Sequence, residues 1–184
     1  MIALRIKRWA MRNNALLTPL LATFMLRLTL MLIAYHCTGT QVMTQGDTAS
    51  YLEPGRNLFL HGSYTSSGQP ELDRTPGYPI FAMLTGSIGG NVLFTILTQI
   101  IVSCLSMILI AHITKRVFSS QQAAVASAWL YALEPLGLIY TIRLMPETFF
   151  VALLLAMIER ITAFLTNGKL SSLATAGILL ATAT

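Results

Sequence analysis

Four long apolar runs constrain this chain more than any other feature of its sequence. They contain 19 to 23 residues each and cover residues 15–37, 91–113, 121–140 and 147–165. A helix of about 20 apolar residues crosses the hydrocarbon core of a bilayer. Only 10% of the 184 residues are charged, whereas a soluble domain carries about a quarter. The sequence therefore predicts an all-α, polytopic transmembrane helical bundle.

The remaining segments complete the predicted organisation. Residues 1–14 form a tail, residues 38–90 a long first loop, and residues 170–184 the start of a fifth span. The fifth segment has 15 residues, fewer than a crossing needs, so we expect the chain to be cut short. The first run lacks a small-residue cleavage site, which favours a retained span over a signal peptide.

Basic residues orient the spans. They lie in the tail, in the link after residue 113 and around the end of the fourth run: Arg5, Lys7, Arg8, Arg12, Lys115, Arg116, Arg160 and Lys169. Cytoplasmic segments carry the excess of Lys and Arg, so the N-terminus is predicted to be cytoplasmic and the long loop to face outward. The net charge of +5 is thereby explained by membrane topology, and no nucleic-acid partner is expected.

The outer loop is predicted to carry two short helices at the membrane interface. Residues 76–90 are apolar but too short to span. Pro76 or Pro79 can begin a helix there, and a glycine pair at 89–90 can end it. A second helix is expected from near Pro54 to Gly62, with its apolar side toward lipid.

Asp47 follows the first span by a few residues, with Tyr51 one helical turn later. A carboxylate at this height can accept a proton from an acceptor hydroxyl or hold a divalent cation. The same aspartate is also well placed to cap the helix that follows it. The two roles are compatible, and the spacing alone leaves both open.

A charged cluster precedes the apolar part of the loop. Glu71, Asp73 and Arg74 could bind a metal or a phosphate, because arginine matches phosphate oxygens with two parallel hydrogen bonds. The alternative is a solvated group of loop charges. Pro76 and Pro79 restrict the backbone after the cluster, and a rigid backbone beside charge suits a preorganised site.

Two further pairs of charges belong to the spans. Arg143 and Glu147 flank Pro146, either at the mouth of a cavity shared with Asp47 or with Glu147 simply stabilising the first turn of a helix. Arg27 and Glu134 lie inside the first and third runs at similar predicted depth. Charge inside a bilayer is normally paired, so we expect a structural pair between them. Cys37 and Cys104 show no metal-ligand spacing.

The ordered motifs carry a family resemblance. The stretches "GDTASYLEPGRNLFLHGSY", "DRTPGYPIF" and "LMPETFFVALL" resemble the N-terminal half of bacterial membrane glycosyltransferases of the GT-C fold. That broad family includes protein O-mannosyltransferases (glycosyltransferase family 39) and lipid A aminoarabinose transferases. The matching positions, in order, are Asp47, Tyr51, Gly62, Tyr64, Arg74, Pro76, Tyr78, Pro79 and Glu147.

The resemblance implies an inner-membrane enzyme that transfers a sugar from a polyprenyl-phosphate donor to an acceptor glycan, lipid or protein on the outer face. It implies that Asp47 acts as the base or as a metal partner, with Glu147 beside it and Tyr51 and Tyr78 against substrate. Arg74 and Arg143 are the candidates for the donor phosphate. Many relatives have a second acid directly after the first. Here Thr48 follows Asp47, and Asp73 or Glu71 is the candidate replacement.

Two other function classes remain open from the sequence. A transporter or lipid-carrier flippase would place its site at mid-membrane, between broken helices, and the charges of Arg27 and Glu134 fit that alternative. A non-catalytic, truncated membrane protein is the second. A cavity lined by Asp47, Arg74 and Glu147 at the loop side would favour the enzyme.

Overall fold

The computed structural model describes residues 2–183, and α-helices make up almost all of their regular structure. Side chains are described for residues 15–166 and 168–181. The elements, in chain order, are α1 (Ile2–Thr38), α2 (Thr48–His61), β1 (Thr65–Ser66), β2 (Gln69–Pro70), α3 (Gly77–Leu84), α4 (Val92–Phe118), α5 (Gln121–Leu133), α6 (Pro135–Thr141), α7 (Glu147–Asn167) and α8 (Leu170–Ala183).

Three of the described helices are long and apolar enough to cross a membrane: Ala15–Thr38 within α1, the whole of α4, and Glu147–Thr166 within α7. Helices α5 and α6 form one further crossing if they are taken together, with a bend of 57° between them. The predicted all-α membrane bundle is therefore confirmed. Helix α8 packs against α7 and covers the predicted fifth segment up to residue 183. Residue 184 lies outside the described residues.

Several helices extend past their predicted ends. Helix α1 is continuous from Ile2, so the backbone of the predicted tail is helical and joins the first span directly. Helix α4 runs to Phe118 instead of residue 113 and ends in a turn that carries Lys115 and Arg116. Basic residues in a last helical turn interact favourably with the helix dipole. Such residues are polar enough to end an apolar run without ending the helix.

The predicted third segment, residues 121–140, is not one helix but two. Helix α5 ends at Leu133 and α6 begins at Pro135. Proline has no N–H to donate inside a helix, and its ring clashes with the carbonyl four residues earlier. Glu134 adopts an extended backbone conformation and accepts hydrogen bonds from the N–H groups of Leu136 and Gly137, so it caps α6.

Helices form at both predicted places in the long loop. Helix α2 starts at Thr48, earlier than expected, and ends at Gly62, whose φ of 68° allows its N–H to reach the carbonyl of Leu58. This left-handed position suits glycine. Helix α3 follows Pro76, and a 3₁₀ turn ends at Gly89. Between the two helices, β1 and β2 pair as a short antiparallel hairpin.

Helices α2 and α3 cross closely at Gly55. A Cβ atom added there would lie 3.0 Å from the carbonyl oxygen of Pro79 and 3.1 Å from the side chain of Met83. The absence of a side chain at Gly55 therefore permits the contact. Tyr78, Ala82 and Met83 are buried at this crossing.

The loop is tied to the link between α6 and α7. Leu144 donates its N–H to the carbonyl of Met43 at 2.9 Å, and the hydroxyl of Thr48 donates to the carbonyl of Leu144 at 3.2 Å. Met43 and Leu144 are both fully buried, in a cluster with Met31, Ile96 and Ile100. The start of α2 and the start of α7 consequently lie at the same end of the bundle.

An ion pair joins α4 and α7 at the opposite end of the bundle. Arg116, at the end of α4, forms an ion pair with Glu159 of α7 at 3.0 Å, and Arg160 pairs with the same carboxylate. This contact brings two of the basic segments together. Both segments lie at the end of the bundle away from the long loop.

Candidate active site at the loop side of the bundle

Arg74 is the centre of a polar cluster on the loop. Its Nη2 lies 3.2 Å from Oδ2 of Asp47, and its Nη1 donates to the Tyr51 hydroxyl at 2.9 Å. The guanidinium carbon also lies 4.6 Å from the centre of the Tyr51 ring. Two nitrogens of one rigid group therefore meet two different partners, which fixes its direction.

The backbone of Arg74 is held as firmly as its side chain. One carboxylate oxygen of Glu71 accepts from the N–H groups of Asp73 and Arg74, at 2.7 and 3.0 Å. The hydroxyl of Tyr64 donates to the carbonyl of Arg74 at 2.8 Å. Glu71, a candidate second carboxylate in the sequence, instead shapes the loop. The sequence singled out Tyr64 as part of the Gly62–Tyr64 motif, but it gave no indication that its hydroxyl bonds to the backbone of Arg74.

Asp47 occupies the capping position of α2 but its side chain makes no capping hydrogen bond. The side chain of Asp47 therefore does not cap α2, which was the alternative role that the spacing left open. Ser50 bonds to the backbone carbonyl of Asp47 through both its N–H and its hydroxyl. The carboxylate is left to meet Arg74, and its side chain is 64% exposed, on the solvent side of the guanidinium.

A cleft of about 260 Å³ lies beside this cluster. One wall comes from α2, the loop and α3, through Tyr51, Asp73, Arg74 and Tyr78. The other wall is the first turn of α7, with Glu147 and two neighbouring phenylalanines. The cleft thus combines one cation and two carboxylates with aromatic surface, at the end of the bundle that carries the long loop.

Glu147 lines this cleft, and one of its carboxylate oxygens is unsatisfied. Its Oε2 is buried and has no hydrogen-bond partner among the described residues. Buried carboxylate oxygens without partners are rare, because losing water without a replacement is unfavourable.

The hydroxyls of the two tyrosines that line the cleft, Tyr51 and Tyr78, have different partners. Their rings meet edge to face at 5.6 Å. Tyr51 presents its hydroxyl to Arg74; burial raises the pKa of that hydroxyl, and the charge of Arg74 acts in the opposite direction. Tyr78 is 4% exposed, and burial raises its pKa strongly. The Tyr78 hydroxyl donates to Gln99 at 2.8 Å, so its ring rather than its hydroxyl borders the cleft.

The structure does not bring every predicted site residue into the cleft. Asp73 lines it, but Asp47 and Arg143 do not, and Asp47 contacts the cleft only by way of Arg74. The backbone carbonyl of Arg143 accepts a hydrogen bond from Gln99 at 2.7 Å, and within residues 15–166 its guanidinium has no hydrogen bond or ion pair. Arg74 is thus the cation of the cleft.

The surroundings of Asp47 do not match a divalent-cation site. Its nearest charged neighbour is a guanidinium, which disfavours a second cation. Mg²⁺ and Ca²⁺ are bound by several oxygen ligands, and the described part of the chain has no group of three or more His, Cys, Asp or Glu residues that could hold a metal. The predicted metal role of Asp47 gains no support from its neighbours.

Arg27 and Glu134 lie close together without a direct ion pair. A methyl group added to Gly137 would lie 2.8 Å from Oε2 of Glu134 and 3.6 Å from Nη2 of Arg27. The ion pairs between described side chains join other residues. The two charged groups therefore lie near one another, as a structural pair requires, but they meet around the break between α5 and α6 instead of in direct contact.

In that arrangement each charge stabilises one helix end. Arg27 is fully buried and donates, at 3.4 and 3.5 Å, to the carbonyls of Ala132 and Tyr131 in the last turn of α5. It also donates to the hydroxyl of Thr141 at 3.4 Å. A cation suits the C-terminus of one helix and an anion the N-terminus of the next. Arg27 and Glu134 thus stabilise the two halves of the broken span.

Comparison with known families defines the class of protein. Residues 73–184 match the family model described as dolichyl-phosphate-mannose-protein mannosyltransferase. The match covers more than half of the chain, and the protein belongs to this family. It is a membrane glycosyltransferase of the GT-C kind, as the motifs predicted. No curated protein and no solved structure gave a significant match to the chain.

The family match includes some residues of the candidate site and leaves out others. It contains Arg74, Tyr78 and Glu147, whereas Asp47 and Tyr51 precede it. Both residues join the site through contacts of their side chains with Arg74, and Tyr51 also lines the cleft and packs against Tyr78.

Proposed function

We propose that this chain transfers a sugar from a polyprenyl-phosphate donor to an acceptor hydroxyl at the outer face of the membrane. The observation that carries the proposal is the cleft lined by Arg74, which Asp47 and Tyr51 orient, and by Glu147, whose carboxylate has an oxygen without a hydrogen-bond partner among the described residues. The family's described donor, dolichyl-phosphate-mannose, is a sugar on a lipid phosphate. A single arginine beside a sugar-sized cleft suits such a molecule.

Arg74 is proposed to bind the donor phosphate. When the bond between the sugar C1 and the phosphate oxygen breaks, negative charge develops on the leaving lipid phosphate. A guanidinium already fixed in direction stabilises that charge without reorganising during the reaction. Its charge-assisted hydrogen bonds to phosphate are stronger than neutral ones.

Asp47 is proposed to act as the base. Phosphate binding competes for Arg74 and frees the Asp47 carboxylate, which lies on the exposed side of the guanidinium. The acceptor hydroxyl then attacks C1 as its proton passes to Asp47, and the leaving phosphate departs on the opposite side with inversion. Glu147 is proposed to accept a hydrogen bond from a sugar hydroxyl and so orient the ring.

The outward direction of the site is supported by charge. The cleft lies at the loop end, and the pair Arg116–Glu159 marks the end with the basic segments. Because Lys and Arg concentrate in cytoplasmic segments, we propose that the cleft opens to the outer face of a bacterial inner membrane.

The test uses the full-length protein in native membranes and a radiolabelled polyprenyl-phosphate sugar. Asp47→Asn should lower the rate of transfer about 100-fold or more, the usual contribution of a positioned base, while donor binding remains. Glu53→Gln is the matched control, because Glu53 lies on α2, which Asp47 precedes, and its hydrogen bonds to other described residues go to Ser66 and Ser67 of the hairpin. Equal rates for Asp47→Asn and the wild type would refute the base assignment.

One observation favours a second function, translocation of the lipid carrier. The third span is broken next to the buried Arg27, and broken helices mark the sites of many transporters. The same radiolabelled donor in proteoliposomes separates the two functions. Movement of label across the bilayer without a glycosylated product would support translocation over transfer.

A further inference from the structure

We propose that Gln99 is a positioning residue that sets the spacing between the two walls of the cleft. Gln99 lies in α4, is fully buried and does not line the cleft. The inference rests on the proposed function in so far as the cleft is the transfer site. The structural coupling it describes can be measured without any activity.

The amide of Gln99 joins three separate parts of the chain. Its Oε1 accepts from the hydroxyl of Tyr78 on α3 at 2.8 Å. Its Nε2 donates to the carbonyl of Thr141 at 3.0 Å and to the carbonyl of Arg143 at 2.7 Å. Both amide hydrogens and the amide oxygen are therefore used, and all three partners are distant in sequence.

Those partners lie behind opposite walls. Tyr78 forms part of the α3 wall. Thr141 ends α6, and Arg143 lies in the link that leads through Pro146 to Glu147. Gln99 thus fixes α3 against the segment that delivers Glu147. The hydrogen bonds that hold Arg74 come from Glu71, Tyr64, Tyr51 and Asp47, and none of them involves Gln99.

Loss of the amide should disturb geometry more than donor binding. Gln99→Met keeps an unbranched side chain of similar length but removes all three hydrogen bonds. A displacement of about 1 Å can lower a rate about 100-fold, so we expect kcat to fall about 10- to 100-fold. The donor KM should stay near the wild-type value, because the contacts that hold Arg74 remain.

Two further variants separate positioning from general stability. Tyr78→Phe removes only the hydroxyl that bonds to Gln99, and in the Gln99→Met background it should add no further loss of kcat. Ser103→Ala is the matched control. Ser103 is fully buried one turn further along α4, and its hydroxyl bonds to Tyr131, away from the cleft. It should leave kcat unchanged.

Hydrogen–deuterium exchange of the purified full-length protein in lipid nanodiscs gives the readout that does not depend on activity. Gln99→Met should accelerate exchange in residues 77–84 and 141–146 together, Tyr78→Phe only in residues 77–84, and Ser103→Ala in neither. Unchanged exchange in Gln99→Met, or equal losses of kcat in Gln99→Met and Ser103→Ala, would overturn the proposal. If Gln99→Met does not fold, Tyr78→Phe decides the question through exchange in residues 77–84.

A wild-type protein that transfers no sugar would refute the proposed function alone. In that case the exchange pattern would still confirm or overturn the coupling of the two walls by Gln99.

Discussion

Replacement of Arg74 by lysine tests whether direction, rather than charge, is what the cleft requires. Lysine keeps the positive charge but has one nitrogen on a flexible chain. Arg74 uses Nη2 toward Asp47 and Nη1 toward the Tyr51 hydroxyl. A single ammonium cannot reproduce both contacts and also face a donor phosphate in a fixed direction.

The size of the effect follows from the two contacts. Asp47 is 64% exposed and the Arg74 side chain 30% exposed, so solvent reduces their ion pair to at most about 1 kcal/mol. The bond to Tyr51 is 2.9 Å long and partly buried, and a hydrogen bond to a charged group contributes about 1.5–3 kcal/mol. Loss of the second contact therefore dominates. It corresponds to a decrease in kcat/KM of about 10- to 100-fold, at about 1.4 kcal/mol for each factor of ten.

The assay is steady-state transfer from a polyprenyl-phosphate sugar by the purified full-length protein in nanodiscs. Arg56→Lys is the matched control, because Arg56 is an exposed arginine on α2 that does not line the cleft. Tyr51→Phe should reduce kcat/KM by a similar factor, and the double variant should be less than additive. If Arg74→Lys keeps kcat/KM within about twofold of the wild type, well below the effect of one such bond, the orientation of the guanidinium is not what the site uses.

Three further predictions concern the scaffold. Gly55→Ala should destabilise the protein by about 1–3 kcal/mol in thermal unfolding, the usual cost of overpacking, because the added Cβ would lie 3.0 Å from the carbonyl oxygen of Pro79. Gly89→Ala is the control and should change the stability little, since the space around Gly89 is open. Glu134→Ala should lower the stability by about 0.5–2 kcal/mol, because α6 loses its capping side chain. Glu134→Asp keeps a carboxylate and should lose less stability than Glu134→Ala. An unchanged melting temperature in Glu134→Ala would contradict the capping role. Burial raises the pKa of the Tyr78 hydroxyl, so the unfolded chain loses the hydroxyl proton at a lower pH than the folded protein does. The free energy of unfolding should therefore fall as the pH rises above about 10. Tyr78→Phe should make this fall less steep, and an identical dependence on alkaline pH in both proteins would contradict the prediction.

The membrane class, the two loop helices and the grouping of basic segments at one end could be predicted because each depends on short stretches of sequence. A run of about 20 apolar residues is sufficient for a span, and proline or glycine marks the ends of a helix locally. The break at Glu134 illustrates the limit. Pro135 was present in the sequence, but the surrounding apolar run predicted continuity and the acid was assigned to a charge pair.

The candidate site was predicted as a set of residues and not as a geometry. Asp47, Arg74 and Glu147 were expected to share a cavity, and the structure places Arg74 and Glu147 on its two walls with Asp47 paired to Arg74. The exclusion of Arg143 from the cleft could not be foreseen, because its direction depends on how the link after α6 packs. Gln99 was missed entirely, since an isolated glutamine in an apolar run has no distinctive spacing.

The sequence by itself determined the class of the fold, an all-α membrane bundle, and the places of the two loop helices, because apolar runs and helix ends are set within a few turns of chain. Only the tertiary structure decided that the Asp47 side chain bonds to Arg74, 27 residues away, instead of capping its own helix. The same holds for Gln99, which lies 42 and 44 residues from the carbonyls it holds. Such contacts depend on the packing of whole helices, since a polar group buried among them bonds to whichever partner the packing brings within reach.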